Sequence, residues 1–589
     1  MIQNSGVKLL NNDLGKIAER RKRWEEGPLK FALARFKFEE SPTRFYTPLD
    51  IKDFNFLEKV GFPGEYPYTA CPYPTYPYAV VATKGSLPTA KGLVRAARYS
   101  GYGTPEDTRD YYKQMQAMGQ RAGPNLALDL PTQCGYDSDN PVIRGEVGKV
   151  GVSIDTLRDF EVIYEPFQGE KNNLDRIASN FTINAPANIL VSMYIALAEK
   201  RGIPMDKLRA TPQNDILKEF VARGTYIFPP RPSMRMMRDS IVFFAKNLPN
   251  VNITSIGGYH IREAGANRVQ DLAFSMAIAI AYLQEGINAG LDIDSFAPKF
   301  TFNAFGGSME FFKEIAFQRA ARRTYARILK ERFGAKDFRS MIIRCPITAH
   351  IGCSSTAAQR PLNNLTRTVV GAIAGALSGG PPMPFPPYDE PLGLGWSLEA
   401  CQLSEDAGRI LQYEAKLNEV IDPLAGSYYM ESLTDEIEAA AWQELEKIDA
   451  MGGAVAAIES GYMQREIAKS AHERQQKIER GEELVVAVNC FTDEAELEVT
   501  TSRLVAHPYD PVKREKAEEQ QIKNLAEVKR TRDNRLVSQL LQELKEAAKK
   551  EEENLMPYFI NCAKAYATEQ EMCDVLREVF GEYEPVSLF

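Results

Sequence analysis

The chain of 589 residues holds only four histidines and eight cysteines. Cys71, Cys134, Cys345, Cys353, Cys401, Cys490, Cys562 and Cys573 include no Cys-x-x-Cys pair, and His260, His350, His472 and His507 show no close metal-ligand spacing. That excludes a disulfide scaffold and argues against a structural zinc site; the usage is that of a reduced compartment. Long hydrophobic runs are missing too. The most apolar stretch, near 272–283, falls short of the roughly 18 residues a membrane span needs. The beginning of the sequence shows a basic, amphipathic helical pattern over 14–24 in place of an apolar signal region. Basic charge is also in deficit: 71 Lys+Arg against 79 Asp+Glu gives a formal charge of −8, which argues against nucleic acid and anionic membrane as partners. A soluble, cytoplasmic protein is expected.

What is present has three textures. Residues 1–60 are charged and mixed, a helix followed by an extended FALARFKF stretch, and read as an arm. Residues 61–85 are dense in Pro and Tyr and open a long region, to about 425, in which short apolar runs alternate with helical patterns. Strands are expected at 125–130, 177–183, 251–256, 299–302 and 341–344, and helices at 216–223, 264–285 and 309–332. Such alternation over more than about 300 residues predicts a parallel α/β fold, a (β/α)8 TIM barrel. Polar residues gather at the strand ends: Thr182 and Asn184, Asn252 and His260, Thr301 and Asn303, and Arg344. Residues 426–589 read as a helical region for subunit contacts or domain packing. Leu525, Val528, Leu536, Leu540 and Leu544 recur there at helical spacing among mixed charges.

The motifs are more specific than the texture. RYSGYGT at 98–104, LDLPTQCGYDSDNP at 128–141, TPQNDILKEFVARGTYIFPPRPSMR at 211–235, GGYHIREAGA at 257–266, RAARR at 319–323 and IDPLAGSYY at 421–429 resemble the catalytic barrel of the methylmalonyl-CoA mutase family. QNDILKEF followed by GYHIREAGA carries most of that resemblance. It implies an isomerase that rearranges acyl-CoA carbon skeletons by radical chemistry with adenosylcobalamin. The family's cobalamin-binding domain carries Asp-x-His-x-x-Gly, and none of the four histidines here has that spacing. The resemblance therefore implies the large, catalytic subunit of a split mutase, with no Rossmann-like cobalamin domain on this chain and the cobalt ligand on a separate small subunit. It leaves open whether a GTPase chaperone is a further partner.

The resemblance also assigns residues. His260 falls where the family polarises the thioester carbonyl, and Arg223 where it holds the free carboxylate of dicarboxylic substrates. Tyr99 matches the tyrosine between substrate and corrin. Thr182, Thr211, Gln213, Asn252, Tyr259 and Thr301 are expected along the acyl-CoA, and Lys299 and Arg339 near its phosphates. Leu130, Gln133, Glu263, Gly352 and Glu390 are expected to face the corrin. Read by residue type alone, His260 is as well a satisfied rim histidine, and Arg223 a helix C-terminal cation.

Several positions depart from the family pattern. Its Thr-His-Arg-Gly-Tyr-Asp reads Thr132-Gln133-Cys134-Gly135-Tyr136-Asp137, and the stretch from Arg344 to Cys353 lacks the usual His, Gln and Trp. Pro382-Met383-Pro384-Phe385-Pro386 replaces a Ser-Leu-His-Thr-Asn, and a pocket phenylalanine aligns with Asn303. Arg223 and Tyr99 predict a dicarboxylic acyl-CoA of the methylmalonyl-CoA/succinyl-CoA type. The lost aromatic bulk extends that expectation to a larger substituent. A monocarboxylic or hydroxy acyl-CoA mutase and a non-catalytic acyl-CoA-binding paralogue are the competing readings.

Overall fold

The computed structural model describes residues 7–37, 39–40, 45–74, 101, 103–117, 123–170, 172–344, 347–352, 354–380, 386–392, 397–417, 419–492 and 511–585. Its centre is a run of parallel strands taken in chain order: β1 (Asn125–Ala127), β2 (Ser179–Thr182), β3 (Ala210–Pro212), β4 (Thr254–Ile256), β5 (Phe300–Phe302), β6 (Ala304–Gly306) and β7 (Ile347–His350). Parallel ladders join β1 to β2 to β3, β4 to β5, and β6 to β7. Single hydrogen bonds carry the run across the gaps. Asn252 N–H donates to Ala210 O at 2.9 Å, Ser255 N–H to Gln213 O at 2.8 Å, and Phe302 N–H to Arg344 O at 2.9 Å. The fold is thus helix-rich α/β with a parallel strand array, and among the described residues no ladder joins its first strand to its last.

The strands are short, and the first ones have one greasy and one polar face. On β1 and β2, Leu126 and Phe181 are buried, and Phe181 packs its ring 5.9 Å from Phe160 and 5.4 Å from Tyr194 on the covering helices. The alternate positions Asn125, Asn180, Thr182 and Thr211 stay partly accessible. A barrel core packed with Val, Ile and Leu would bury both faces. Here one face is lined with small polar groups.

Sequence expectation and structure differ at a few elements. FALARFKF is not extended: Lys30–Phe36 is helical and follows the Val7–Trp24 helix through a π-helical turn, Glu25–Leu29, that contains Pro28. Ala32, Leu33, Ala34 and Arg35 are strong helix formers, and their propensity overrides the local apolar alternation. The strand expected at 341–344 gives way to the end of a short helix, Phe338–Met341, started by the Asp337 side chain accepting Arg339 N–H. The paired strand begins at Ile347. β3 has no counterpart among the expected strands because Ala-Thr-Pro carries no apolar run.

The helix Arg268–Asn288 is apolar nearly all round and buried, and begins with a capping box between Asn267 and Gln270. No single described helix is long and apolar enough to cross a membrane. Behind the array, the helix Tyr428–Ala450 packs on Phe311–Arg327 and Arg268–Asn288, and Met556–Lys564 packs on Ala187–Lys200. The RAARR motif forms this joint. Arg319, fully buried, pairs with Asp422 and with Glu431 (2.6 Å), and Arg323 with Glu438 and Asp435, both at 2.6 Å. Arg322 donates to the carbonyls of Tyr68 and Thr69. Buried ions persist only when paired in this way, so RAARR and IDPLAGSYY meet as structural mortar.

Candidate active site

The polar strand face is a connected belt. Asn125 lies beside Asn180 and Asn180 beside Thr211 in register. Asn252 Nδ2 donates to Thr211 Oγ1 at 2.7 Å, and Arg344 donates to Asn252 Oδ1 at 3.1 Å. Thr182 lies beside Ala127 on the same face. These groups can meet the amides and carbonyl of an extended ligand. Thr301 is buried and its hydroxyl donates to Thr254 O at 2.9 Å, so that donor is used within the array.

At one edge of the belt the QNDILKEFVAR segment turns from strand to helix. Asn214 takes a left-handed conformation (φ 45°), which Asn tolerates better than most residues, and its side chain donates to Ser240 Oγ and Ile253 O. A short helix, Ile216–Lys218, widens into a π-helical turn, Glu219–Arg223. Gly224 closes it at φ 88°, its N–H reaching Glu219 O at 2.8 Å. π-turns are rare and recur at functional sites.

The charges on this turn are buried and satisfied with one exception. Lys218 and Glu219 have fully buried side chains in direct contact. Glu219 Oε1 accepts from Lys218 and from Asn184 Nδ2 (2.5 Å), and Oε2 accepts from Thr225 N–H (3.1 Å) and Thr225 Oγ1 (2.6 Å). Burial works to raise this carboxyl. Lys218, Arg223 and the hydrogen bonds outweigh it, so Glu219 sits below the ordinary range and is ionised. Gln213 uses its carbonyl oxygen to accept from Asn184 (3.0 Å) and Lys218 (3.2 Å). Arg223 is the exception. Its Nη1 lies 3.6 Å from Glu219 Oε1, buried and without a hydrogen-bond partner among the described residues.

The same network reaches His260. Asp215 accepts Tyr282 O–H and Gly257 N–H, each at 2.8 Å. Gly257 in turn places its carbonyl 3.3 Å from His260 Nδ1. The helix Gly258–Glu263 that carries Tyr259 and His260 packs on the π-turn of Arg223. The Tyr259 and His260 rings lie 3.9 Å apart, both half-buried. The packed helix and turn thus carry an imidazole, a phenol and a guanidinium with an Nη1 that has no hydrogen-bond partner among the described residues.

Of the residues expected on the corrin side, Glu263, Gly352 and Glu390 lie near one another. Ser354 N–H and Oγ both donate to the Glu263 carboxylate at 2.9 Å. Gly352 lies so close that a Cβ would stand 2.2 Å from the Glu263 carboxyl, so a side chain there must displace that carboxyl. Burial, with Asp389 and Glu263 nearby, pushes Glu390 up to about 7. Gln133 is buried, donates to Leu128 O at 2.6 Å, and leaves Oε1 without a partner among the described residues. Leu130 is 39% exposed beside it.

Two further basic residues are engaged locally. Lys299 precedes β5 and donates to Phe244 O (2.8 Å) and Leu248 O (3.3 Å), capping the end of the helix Pro230–Asn247. Arg339 is exposed and pairs with Asp337 at 2.6 Å. Tyr99, Cys345, Pro346, Cys353 and residues 381–385 lie outside the described residues. Lys218, Glu219 and Asp215 are not among the residues that the sequence singles out. Their signal is nonetheless present: three charged residues within a five-residue segment of a short apolar helix demand internal partners.

The chain matches the family model described as methylmalonyl-CoA mutase over residues 38–582. It is 38% identical to the 2-hydroxyisobutanoyl-CoA mutase large subunit of Aquincola tertiaricarbonis over 548 residues, covering 93% of this chain and 92% of that one. It is 37% identical to the methylmalonyl-CoA mutase of Escherichia coli (strain K12), covering 91% of this chain and 71% of that one. With the human mitochondrial methylmalonyl-CoA mutase it shares 35% identity, covering 89% of this chain and 66% of that one. It thus spans nearly all of a protein named a large subunit, but only about two thirds of the human enzyme. With the motifs QNDILKEF and GYHIREAGA folded against one another, these matches place the chain in the methylmalonyl-CoA mutase family.

Proposed function

We propose that this chain is the large, catalytic subunit of an adenosylcobalamin-dependent acyl-CoA mutase, an isomerase, acting on a dicarboxylic acyl-CoA. One observation carries the substrate class. The buried Nη1 of Arg223 has no hydrogen-bond partner among the described residues and stands on a turn packed against the helix of His260. A buried donor left open costs stability unless a ligand fills it, and a guanidinium best accommodates a carboxylate. His260 would then hydrogen-bond the thioester oxygen and Arg223 the distal carboxylate. Tyr259, Gln213, Thr211, Asn252 and Thr182 would line the acyl and pantetheine portions.

We read the parallel array as part of a (β/α)8 barrel, in a chain divided into an arm (1–60), the acyl-CoA-binding barrel (61–425) and a helical region (426–589). Such an enclosure keeps water from a reactive intermediate. The corrin-side residues suit the cofactor. Gln133 Oε1 is an acceptor for a side-chain amide, Leu130 offers an apolar contact, and the bare backbone at Gly352 permits close approach. Adenosylcobalamin would supply the radical that removes and returns a substrate hydrogen. A cytoplasmic location, a small cobalamin-binding subunit and a GTPase chaperone belong to the same proposal.

Asn303, half-buried at the junction of β5 and β6, replaces aromatic bulk by the resemblance and supports a substituent larger than methyl. The relative named for 2-hydroxyisobutanoyl-CoA favours a second reading, a hydroxy acyl substrate, against which Arg223 stands. Isomer formation from methylmalonyl-CoA, longer branched malonyl-CoAs and 2-hydroxyisobutanoyl-CoA separates them. Preferred turnover of the longer dicarboxylic thioesters supports the full reading. Turnover of the hydroxy acyl thioester alone overturns it.

A further inference from the structure

Glu219 is the natural partner of Arg223 by position, because residues four apart on a helical face meet. Yet no hydrogen bond joins them. The carboxylate accepts from Lys218 and Asn184 at Oε1 and from Thr225 twice at Oε2. A carboxylate has about four lone-pair positions, and all are used. Glu219 therefore draws the guanidinium to 3.6 Å by charge without consuming its donors. Lys218 is central to this. It is fully buried, contacts Glu219 directly and also reaches Gln213, and its ammonium offsets the charge that would otherwise capture Arg223.

We propose that Lys218 is a positioning residue that sets dicarboxylate specificity: by saturating Glu219 it keeps Arg223 oriented and free for a substrate carboxylate. The inference rests on the reading of Arg223 given above. Replacement of Lys218 by an apolar residue of similar length leaves a buried, uncompensated carboxylate. The nearest remaining cation is Arg223, which swings onto Glu219 and leaves the ligand site. Removing both charges together relieves this, because a neutral amide in place of the Glu219 carboxylate would not recruit the guanidinium.

The test is equilibrium binding of succinyl-CoA and butyryl-CoA, which differ by one carboxylate, to the full chain. It uses the wild type, Lys218→Met, Glu219→Gln and the double variant Lys218→Met/Glu219→Gln, with near-ultraviolet circular dichroism to establish folding. The wild type should prefer succinyl-CoA by about tenfold or more. Lys218→Met should lose that preference while butyryl-CoA binding changes by less than about threefold, and the double variant should regain it. A folded Lys218→Met that keeps the preference overturns the proposal, as does a folded double variant that fails to regain it. Should Lys218→Met not fold, Glu219→Gln decides. Preference retained supports the proposal and preference lost overturns it. A wild type without preference overturns the reading of Arg223 itself, whatever the variants do, and this proposal falls with it.

Discussion

The carboxylate of Asp215 accepts the backbone N–H of Gly257 at 2.8 Å. This single bond ties the QND motif to the GYH motif, 42 residues on. It also fixes the turn whose carbonyl stands against His260. Asp215 is fully buried, so removing its charge while keeping its shape should cost stability as well as geometry. Asp215→Asn is expected to lower stability by about 1–3 kcal/mol and to reduce turnover through a displaced His260. Denaturant unfolding and kcat measured on the same sample check both parts.

Gly257 separates position from stability more cleanly. Its backbone (φ −108°, ψ 68°) needs no glycine, but a Cβ would lie 2.7 Å from His260 Nδ1. The ring is what gives way. Gly257→Ala should change stability by less than about 1 kcal/mol and lower kcat by about tenfold or more, about 1.4 kcal/mol in barrier. Unchanged kcat in a folded variant would remove His260 from the reaction.

Much of this was legible in the sequence, and the reasons for the rest are local. The QND and GYH motifs meet in the fold through the bond between Asp215 and Gly257. The parallel α/β class follows from alternation. The arm departs from expectation because FALARFKF shows period two while Ala32, Leu33 and Ala34 favour helix. β3 is silent because Ala-Thr-Pro is held by neighbours and not by its own propensity. Lys218 lies inside QNDILKEF but is not singled out by it, because its importance lies in what it neutralises, which depends on Thr225 across the turn and on Asn184 arriving from 35 residues before Glu219.

Glu390 gives a pH-dependent stability. Burial, helped by Asp389 and Glu263, holds it near 7, above the ordinary carboxylate value of 4.5. The folded state thus binds its proton more tightly than the unfolded state does. The corresponding stability is full below about pH 4.5 and is lost as pH rises through about 7. Glu390→Gln should match the wild type at pH 4.5 and exceed it by about 1–3 kcal/mol at pH 8. Denaturation midpoints at the two pH values measure the difference.

Gly352 tests the proposed corrin side. A Cβ there meets the Glu263 carboxyl at 2.2 Å and must push it from Ser354. Gly352→Ala should weaken adenosylcobalamin binding by the chain mixed with a small cobalamin-binding subunit by about tenfold or more, while acyl-CoA binding by the chain alone stays unchanged. Equilibrium dialysis of the cofactor and titration with succinyl-CoA read the two separately.

The most direct test of a radical mutase acting on a dicarboxylic acyl-CoA is electron paramagnetic resonance. The chain is mixed with a small cobalamin-binding subunit and adenosylcobalamin, then given succinyl-CoA or butyryl-CoA. A coupled cob(II)alamin and organic radical signal with succinyl-CoA, much weaker with butyryl-CoA and lost in Arg223→Gln, is the predicted result. A loaded complex that gives no signal with either thioester, or an equal signal with both, would contradict it.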